Sequence, residues 1–298
     1  MKEIIFIAGR GRSGSTLLGK ALDSIPDTFH IGEIRYFSQI GYIEDRECEC
    51  GKGLTKCLLW GDIIKKLSMN YNLNEVYNES KNLPSHLRLY SNKVFGLDNN
   101  SLPASYISFI SDLYDTIYDV SGCEYVVDSS KFPVHLLALL CSDRFKLKVI
   151  HLTRDPRGTS HSWSKERQGS QGQSSELIGQ HSFLKEALKW RLWNRLLSRS
   201  LDDIELSIHV KWEDFITEPA AEIEKIIHQL QLCLSMPVFE TPSHILLNKG
   251  HAFWGNSSRR LSGVTKIRKD EEWTKEMGEL KRHLIFHLAG ASRYGYKV

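Results

Sequence analysis

The sequence has no apolar run long enough to cross a membrane. Behind Lys2 and Glu3 only a handful of apolar residues stand before Gly9 and Arg10, too few for a signal peptide or a transmembrane span. No later stretch reaches that length, so a cytoplasmic protein without membrane contact is expected. A dominant charge is missing too: 39 Lys and Arg against 36 Asp and Glu leave +3, with the basic residues scattered. That argues against a nucleic-acid partner and leaves room for one basic cleft that holds a small anion. Six cysteines in 298 residues are expected to stay mostly reduced in that compartment. There is no internal repeat, and nothing in the sequence speaks to oligomeric state.

What is present is an alternation. Apolar runs at residues 3–8, 125–127, 147–152 and 207–210, rich in β-branched side chains, each lead through a turn into a helical pattern. Helices are predicted over residues 15–24, 132–141, 156–163, 183–200, 219–232 and 270–289. This order predicts the α/β class, a single domain whose central parallel sheet is flanked by helices. Two stretches interrupt it: residues 34–122 read as a helical insertion that shapes a pocket, and residues 164–182 as a polar, mobile lid.

The first strand runs into GRGRSGSTLL, residues 9–18. Its spacing is that of a nucleotide-phosphate loop, but Ser15 occupies the lysine slot. Without that lysine, triphosphate hydrolysis loses its main cation. An offset reading, Gly14 to Gly19-Lys20, puts Ala21 where a magnesium-binding hydroxyl belongs, and helical spacing sends Lys20 to solvent. Anion capture survives: glycines let the backbone approach, helix amides point at the ligand, and Arg10 and Arg12 add charge. Such a cradle of Arg10, Gly11, Arg12, Ser13, Gly14, Ser15 and Thr16 suits a phosphate monoester or diester. A second anion motif follows the strand at 147–152, in LTRDPRGTSHSW. Arg154 stands at the strand end, Asp155 as N-cap, Pro156 in the first helical position, and Ser162 two turns on.

In order and spacing these motifs resemble the sulfotransferase family that uses 3′-phosphoadenosine 5′-phosphosulfate (PAPS). GRGRSGSTLL is similar to its 5′-phosphosulfate loop and LTRDPRGTSHSW to its 3′-phosphate motif. VKWEDFITEPAAEIEKII, CECGKGLTKCLLW and GHAFWGNSSRR resemble further segments of the family. The resemblance implies a P-loop-like fold, PAPS as co-substrate, its desulfated form PAP as product, and sulfuryl transfer to an alcohol or amine with no metal required. It implies that Arg154 and Ser162 take the 3′-phosphate, that Arg259 touches the donor, and that residues 34–122 shape the acceptor site. A small metabolite or natural product is the expected acceptor.

In-line transfer needs a base for the acceptor proton and cations at the leaving phosphate. By resemblance to tyrosylprotein sulfotransferases, Glu33 in HIGEIRYF is the candidate base, with Lys131 in VVDSSKFP and Arg12 as the cations. His251 is the rival base, whereas His30 and His151 read as strand or core residues. Trp60, Trp163 and Trp254 are candidates to stack on adenine, and Glu44, Asp45, Glu47 and Glu49 either meet a cationic acceptor or form a solvated face. Cys48, Cys50 and Cys57 read either as three zinc thiolates lacking a fourth ligand or as a compact loop with buried thiols. A nucleotide kinase with a degenerate loop and a non-catalytic nucleotide-binding module are the competing readings.

Overall fold

Strand β1 (Lys2–Gly9) sends Ile4, Phe6 and Ala8 to one side and Ile5 and Ile7 to the other, and all are fully buried. A strand covered on both faces belongs at the centre of a parallel sheet. The computed structural model describes residues 1–83, 102–164, 182–202, 204–269 and 271–298, with the backbone of Arg167–Gln168 and Leu177–Ile178. In it β1 is the middle of a five-stranded sheet of order β2-β3-β1-β4-β5, every neighbour parallel. The other strands are β2 (Thr28–Gly32), β3 (Tyr125–Lys131), β4 (Phe145–Thr153) and β5 (Leu206–Lys211).

Helix α1 (Ser15–Asp23) follows β1. The connection from β2 to β3 holds α2 (Leu58–Ser68), α3 (Leu73–Lys81) and α4 (Ala104–Ser121). Next come α5 (Pro133–Leu140), α6 (Pro156–Ser164), α7 (Phe183–Leu201), α8 (Trp212–Thr217) and α9 (Pro219–Gln229). One sheet face packs on α2, α4, α5 and α7 through Trp60, Leu113, Leu136 and Leu197. The other packs on α1, α8 and α9 through Leu18, Phe215 and Ile223. Among the described residues no helix is long and apolar enough to cross a membrane.

Two differences from the sequence reading concern the late part of the chain. The helix expected over 270–289 is two, α10 (Glu272–Glu276) and α11 (Glu279–Ala289), because Met277 and Gly278 take extended backbone between them. An antiparallel sheet of Phe239–Thr241, His244–Leu247 and Gly263–Lys266 was not foreseen, its strands being short and largely exposed. Most of the lid stretch 164–182, and residues 84–101 of the insertion, lie outside the described residues.

Candidate active site

In a parallel sheet every strand ends on the same edge, and ligands gather where the strand order changes direction. Here β1 is flanked by β3 on one side and β4 on the other. The turns leaving β1, β2, β3 and β4 carry, respectively, the 9–16 loop, Glu33, Lys131 and Arg154. Four separate sequence candidates therefore share one edge.

The loop is close-packed at both of its outer glycines. A side chain at Gly9 would meet the Leu152 carbonyl oxygen at 2.3 Å, and one at Gly14 would meet the Trp212 ring at 2.2 Å. Gly14 has φ 91 and Arg12 φ 70, the left-handed region, which costs a non-glycine about 1–3 kcal/mol and gathers at functional sites. No side chain caps α1, whose first turn begins with the buried Ser15 and Thr16. Ser13 Oγ is buried and has no hydrogen-bond partner among the described residues. An uncapped helix mouth and an orphaned hydroxyl fit an anion. Arg10 gives Nη2 to Glu186 at 2.6 Å. Trp163 lies under both arginines, 5.2 Å from Arg10 and 5.0 Å from Arg12, and donates Nε1 to the Gly11 carbonyl at 3.2 Å. That tryptophan supports the loop, a role its sequence position did not reveal.

Arg154, 8% exposed, donates Nη1 to the Arg12 carbonyl at 3.2 Å. The two anion motifs thus adjoin, because β1 and β4 are neighbours. Asp155 caps α6, accepting the Arg157 amide at 2.8 Å, and its ion pair is with Arg157 at 2.7 Å. Ser162 is buried on α6, and so is Ser160, whose Oγ has no partner among the described residues. Ser160 escaped the sequence reading; its only signal was the shared helix.

Lys131 ends β3 with φ 69, and its Nζ stands 2.7 Å from Glu33 Oε1 and 2.9 Å from the Ser129 carbonyl. Glu33 thus has Lys131 as a partner, and Arg35 lies over Phe132 and Tyr36. Below the pair, buried Asp128 accepts from Tyr114 and the Ser130 amide and meets His135 at 3.3 Å. Burial works to raise its pKa, but His135 and these hydrogen bonds hold it below the ordinary carboxylate value. His30 and His151 are core residues as read: burial drives them down to about 3 and about 4, and they bond Ser129 and Asn194.

The late loop closes over the site's flank. Phe253 donates its amide to Ile31, Trp254 accepts the Glu33 amide at 2.9 Å, and the Asn256 amide meets Thr16 Oγ1 at 3.4 Å. Arg259 is 1% exposed and gives its guanidinium to the Gly255 and Glu47 carbonyls, at 2.9 and 3.2 Å. Burial brings its pKa down to about 10.

Four expectations are corrected. Lys20 is fully buried instead of solvent-facing, bonded to Glu49 and the Asn248 carbonyl, because loops from residues 48–50 and 248–252 cover that helix face. The offset lysine of the kinase reading is therefore spent. Of the four acidic residues, Glu49 is buried on Lys20 and belongs to no solvated face, whereas Glu44, Asp45 and Glu47 stand at or near the surface, beside Arg46, Thr55 and Arg260. His251 turns Nδ1 to Cys57 and Cys48 and joins the thiols. Trp60 fills the core, and Trp254 lies against Arg46 and Arg259.

A model described as the sulfotransferase family matches residues 4–235. No protein of curated function matches the sequence. The sulfotransferase domain from the curacin biosynthetic pathway shares 17% identity at TM-score 0.52, over 100% of this chain and 99% of its own. Sulfotransferases from Alicyclobacillus acidocaldarius (14%, TM-score 0.42, 99% and 100% covered) and Mycobacterium tuberculosis (14%, 0.40, 79% and 69%) are similar at lower scores. With the family model spanning most of the sequence, the chain belongs to the sulfotransferase family, transferases that draw on a sulfate donor.

Proposed function

We propose that this chain moves a sulfuryl group from PAPS to a hydroxyl or amine of a small metabolite or natural product. The observation that carries the reading is the 2.7 Å Lys131–Glu33 pair on the same sheet edge as an uncapped, serine-lined helix mouth. Residues 10–16 hold the 5′-phosphosulfate, and Arg154 with Ser162 holds the 3′-phosphate. Arg259 fastens the loop that lies against Thr16.

Glu33 accepts the acceptor's O–H or N–H proton as the acceptor atom bonds to sulfur. The bond between sulfur and the bridging phosphate oxygen breaks, and its electron pair stays on that oxygen. Lys131 has three donors, of which Glu33 and Ser129 engage two. It and Arg12 neutralise the charge that grows on the leaving oxygen, where fixed donors have the most effect. No step in this scheme calls for a metal.

The test is a panel of small alcohols and amines incubated with PAPS, read by mass spectrometry for one added sulfuryl group and for PAP. Sulfated product that disappears in Glu33→Gln supports the reading. Undiminished transfer in that variant removes Glu33 as base, and absence of PAP binding removes PAPS as donor.

A further inference from the structure

Sequence spacing gave three thiols without a fourth ligand, and the fold supplies one from 194 residues away. Cys48, Cys50, Cys57 and His251 each offer one donor atom, and all lie within 4.8 Å of one another. Cys57 Sγ is 3.7 Å from Cys48 Sγ and 3.2 Å from His251 Nδ1, and Cys48 Sγ is 3.7 Å from that nitrogen. Tetrahedral zinc, with Zn–S about 2.3 Å and Zn–N about 2.0–2.1 Å, sets S···S edges of about 3.8 Å and S···N edges of about 3.6 Å. The three edges among Cys48, Cys57 and His251 lie within about 0.4 Å of those values. A disulfide would draw two sulfurs to about 2.0 Å and leave the third thiol and the imidazole unexplained.

We propose that Cys48, Cys50, Cys57 and His251 Nδ1 form a four-ligand structural Zn²⁺ site. The surrounding structure aims every ligand. Gly51, at φ 85, turns the chain so that its amide returns to the Cys48 carbonyl at 2.9 Å, while the Cys48 amide reaches the Lys52 carbonyl at 2.8 Å. Cys57 is the N-cap of α2, where helix amides favour a thiolate. Glu49, between the first two thiols, accepts the amides of Gly250 and Ala252 at 2.9 and 3.1 Å and so grips the backbone on both sides of His251. Trp60 Nε1 donates to the His251 carbonyl. On binding, each thiol that still carries a proton releases it to solvent, and three thiolates on Zn²⁺ leave one net negative charge. The buried Arg259 guanidinium, bonded to the Glu47 carbonyl, lies close enough to offset it.

With four protein ligands no position is left for substrate, so the metal acts as a staple. It ties residues 47–57 to the loop whose Phe253 and Trp254 hold the end of β2 and the Glu33 amide. The proposal stands without the transferase chemistry, since its readouts are metal content and spectrum.

The experiment is elemental analysis of the intact chain expressed with zinc supplied, followed by Co²⁺ exchange. One zinc per chain is expected, released in step with titration of the thiols by a mercurial. The Co²⁺ form should show the intense visible bands of a tetrahedral thiolate site. Cys50→Ser, at an exposed position, and His251→Gln should each weaken zinc more than about 100-fold, above the cost of losing an outer hydrogen bond to a ligand. Cys233→Ser, outside the cluster, should keep the full metal content. If Cys50→Ser does not fold, the wild-type Co²⁺ spectrum and His251→Gln decide. A folded, zinc-free chain carrying a Cys48–Cys57 disulfide would overturn the proposal, as would unchanged zinc affinity in both ligand variants.

Discussion

Lys131–Glu33 and Lys20–Glu49 place the same two charges in two settings. Lys20 and Glu49 have side chains 0% and 4% exposed; Lys20 also holds the Asn248 carbonyl, and Glu49 takes two backbone amides. That network is closed, with bonding capacity on both partners used inside the protein. The Lys131–Glu33 pair is 5% and 16% exposed, sits at a strand end on left-handed backbone, and faces the edge where the helix mouth opens. An ion pair that is saturated holds loops together, whereas one that is open on one side can exchange its partner for a ligand.

The contrast breaks most sharply on Glu33→Gln. Turnover of PAPS with an accepted substrate should fall about 10²–10⁴-fold, the usual reach of a general base. The melting temperature should move less than for a closed pair, because the variant's side-chain carbonyl can still accept from Lys131 at a position partly open to solvent. Lys20→Met should do the reverse. It leaves the buried Glu49 carboxylate its two amides but takes away its paired cation, and should cost about 3–5 kcal/mol in urea unfolding, with turnover per folded molecule retained. A loss of turnover without a loss of stability in Lys20→Met would erase the distinction.

Arg154→Ala sharpens the comparison on the donor side. PAP should weaken by about 10–100-fold, the value of charge-assisted hydrogen bonds, and 5′-AMP much less, both read by calorimetric titration. Equal losses would withdraw the 3′-phosphate assignment. A further contrast concerns a core histidine that belongs to neither pair. Burial, helped by His209, holds His151 down at about 4 against the bond that it gives to Asn194 Oδ1. An unfolded histidine titrates at about 6.5. Its contribution is therefore complete above that pH and is lost as pH falls toward 4, at about 1.4 kcal/mol per pH unit. In His151→Gln, urea midpoints followed across that window should lose this slope; an unchanged slope would contradict the shift.

Strand and helix order was legible because β1, β3 and β4 are apolar runs buried on both faces, and because Pro133, Pro156 and Pro219 open helices α5, α6 and α9. What the pattern missed depends on distant segments. Helical spacing sent Lys20 to solvent, since nothing local says that residues 48–50 and 248–252 will cover that face. The fourth donor of the thiol cluster, His251, lies far along the chain and drew notice only as a candidate base. Glu33 and Lys131 came from a resemblance; that they meet at 2.7 Å follows from β2 and β3 lying side by side, which composition does not encode. The Trp163 platform and the orphaned Ser13 and Ser160 hydroxyls appear only in three dimensions.

The central claim is that the turns after β1 and β4 form adjoining sockets for the two charged ends of a bisphosphorylated adenosine. Its most direct test is isothermal titration of the intact chain with PAP. Saturable binding, stronger than for 5′-AMP, is the expected result. Heats indistinguishable from dilution up to millimolar PAP would contradict it.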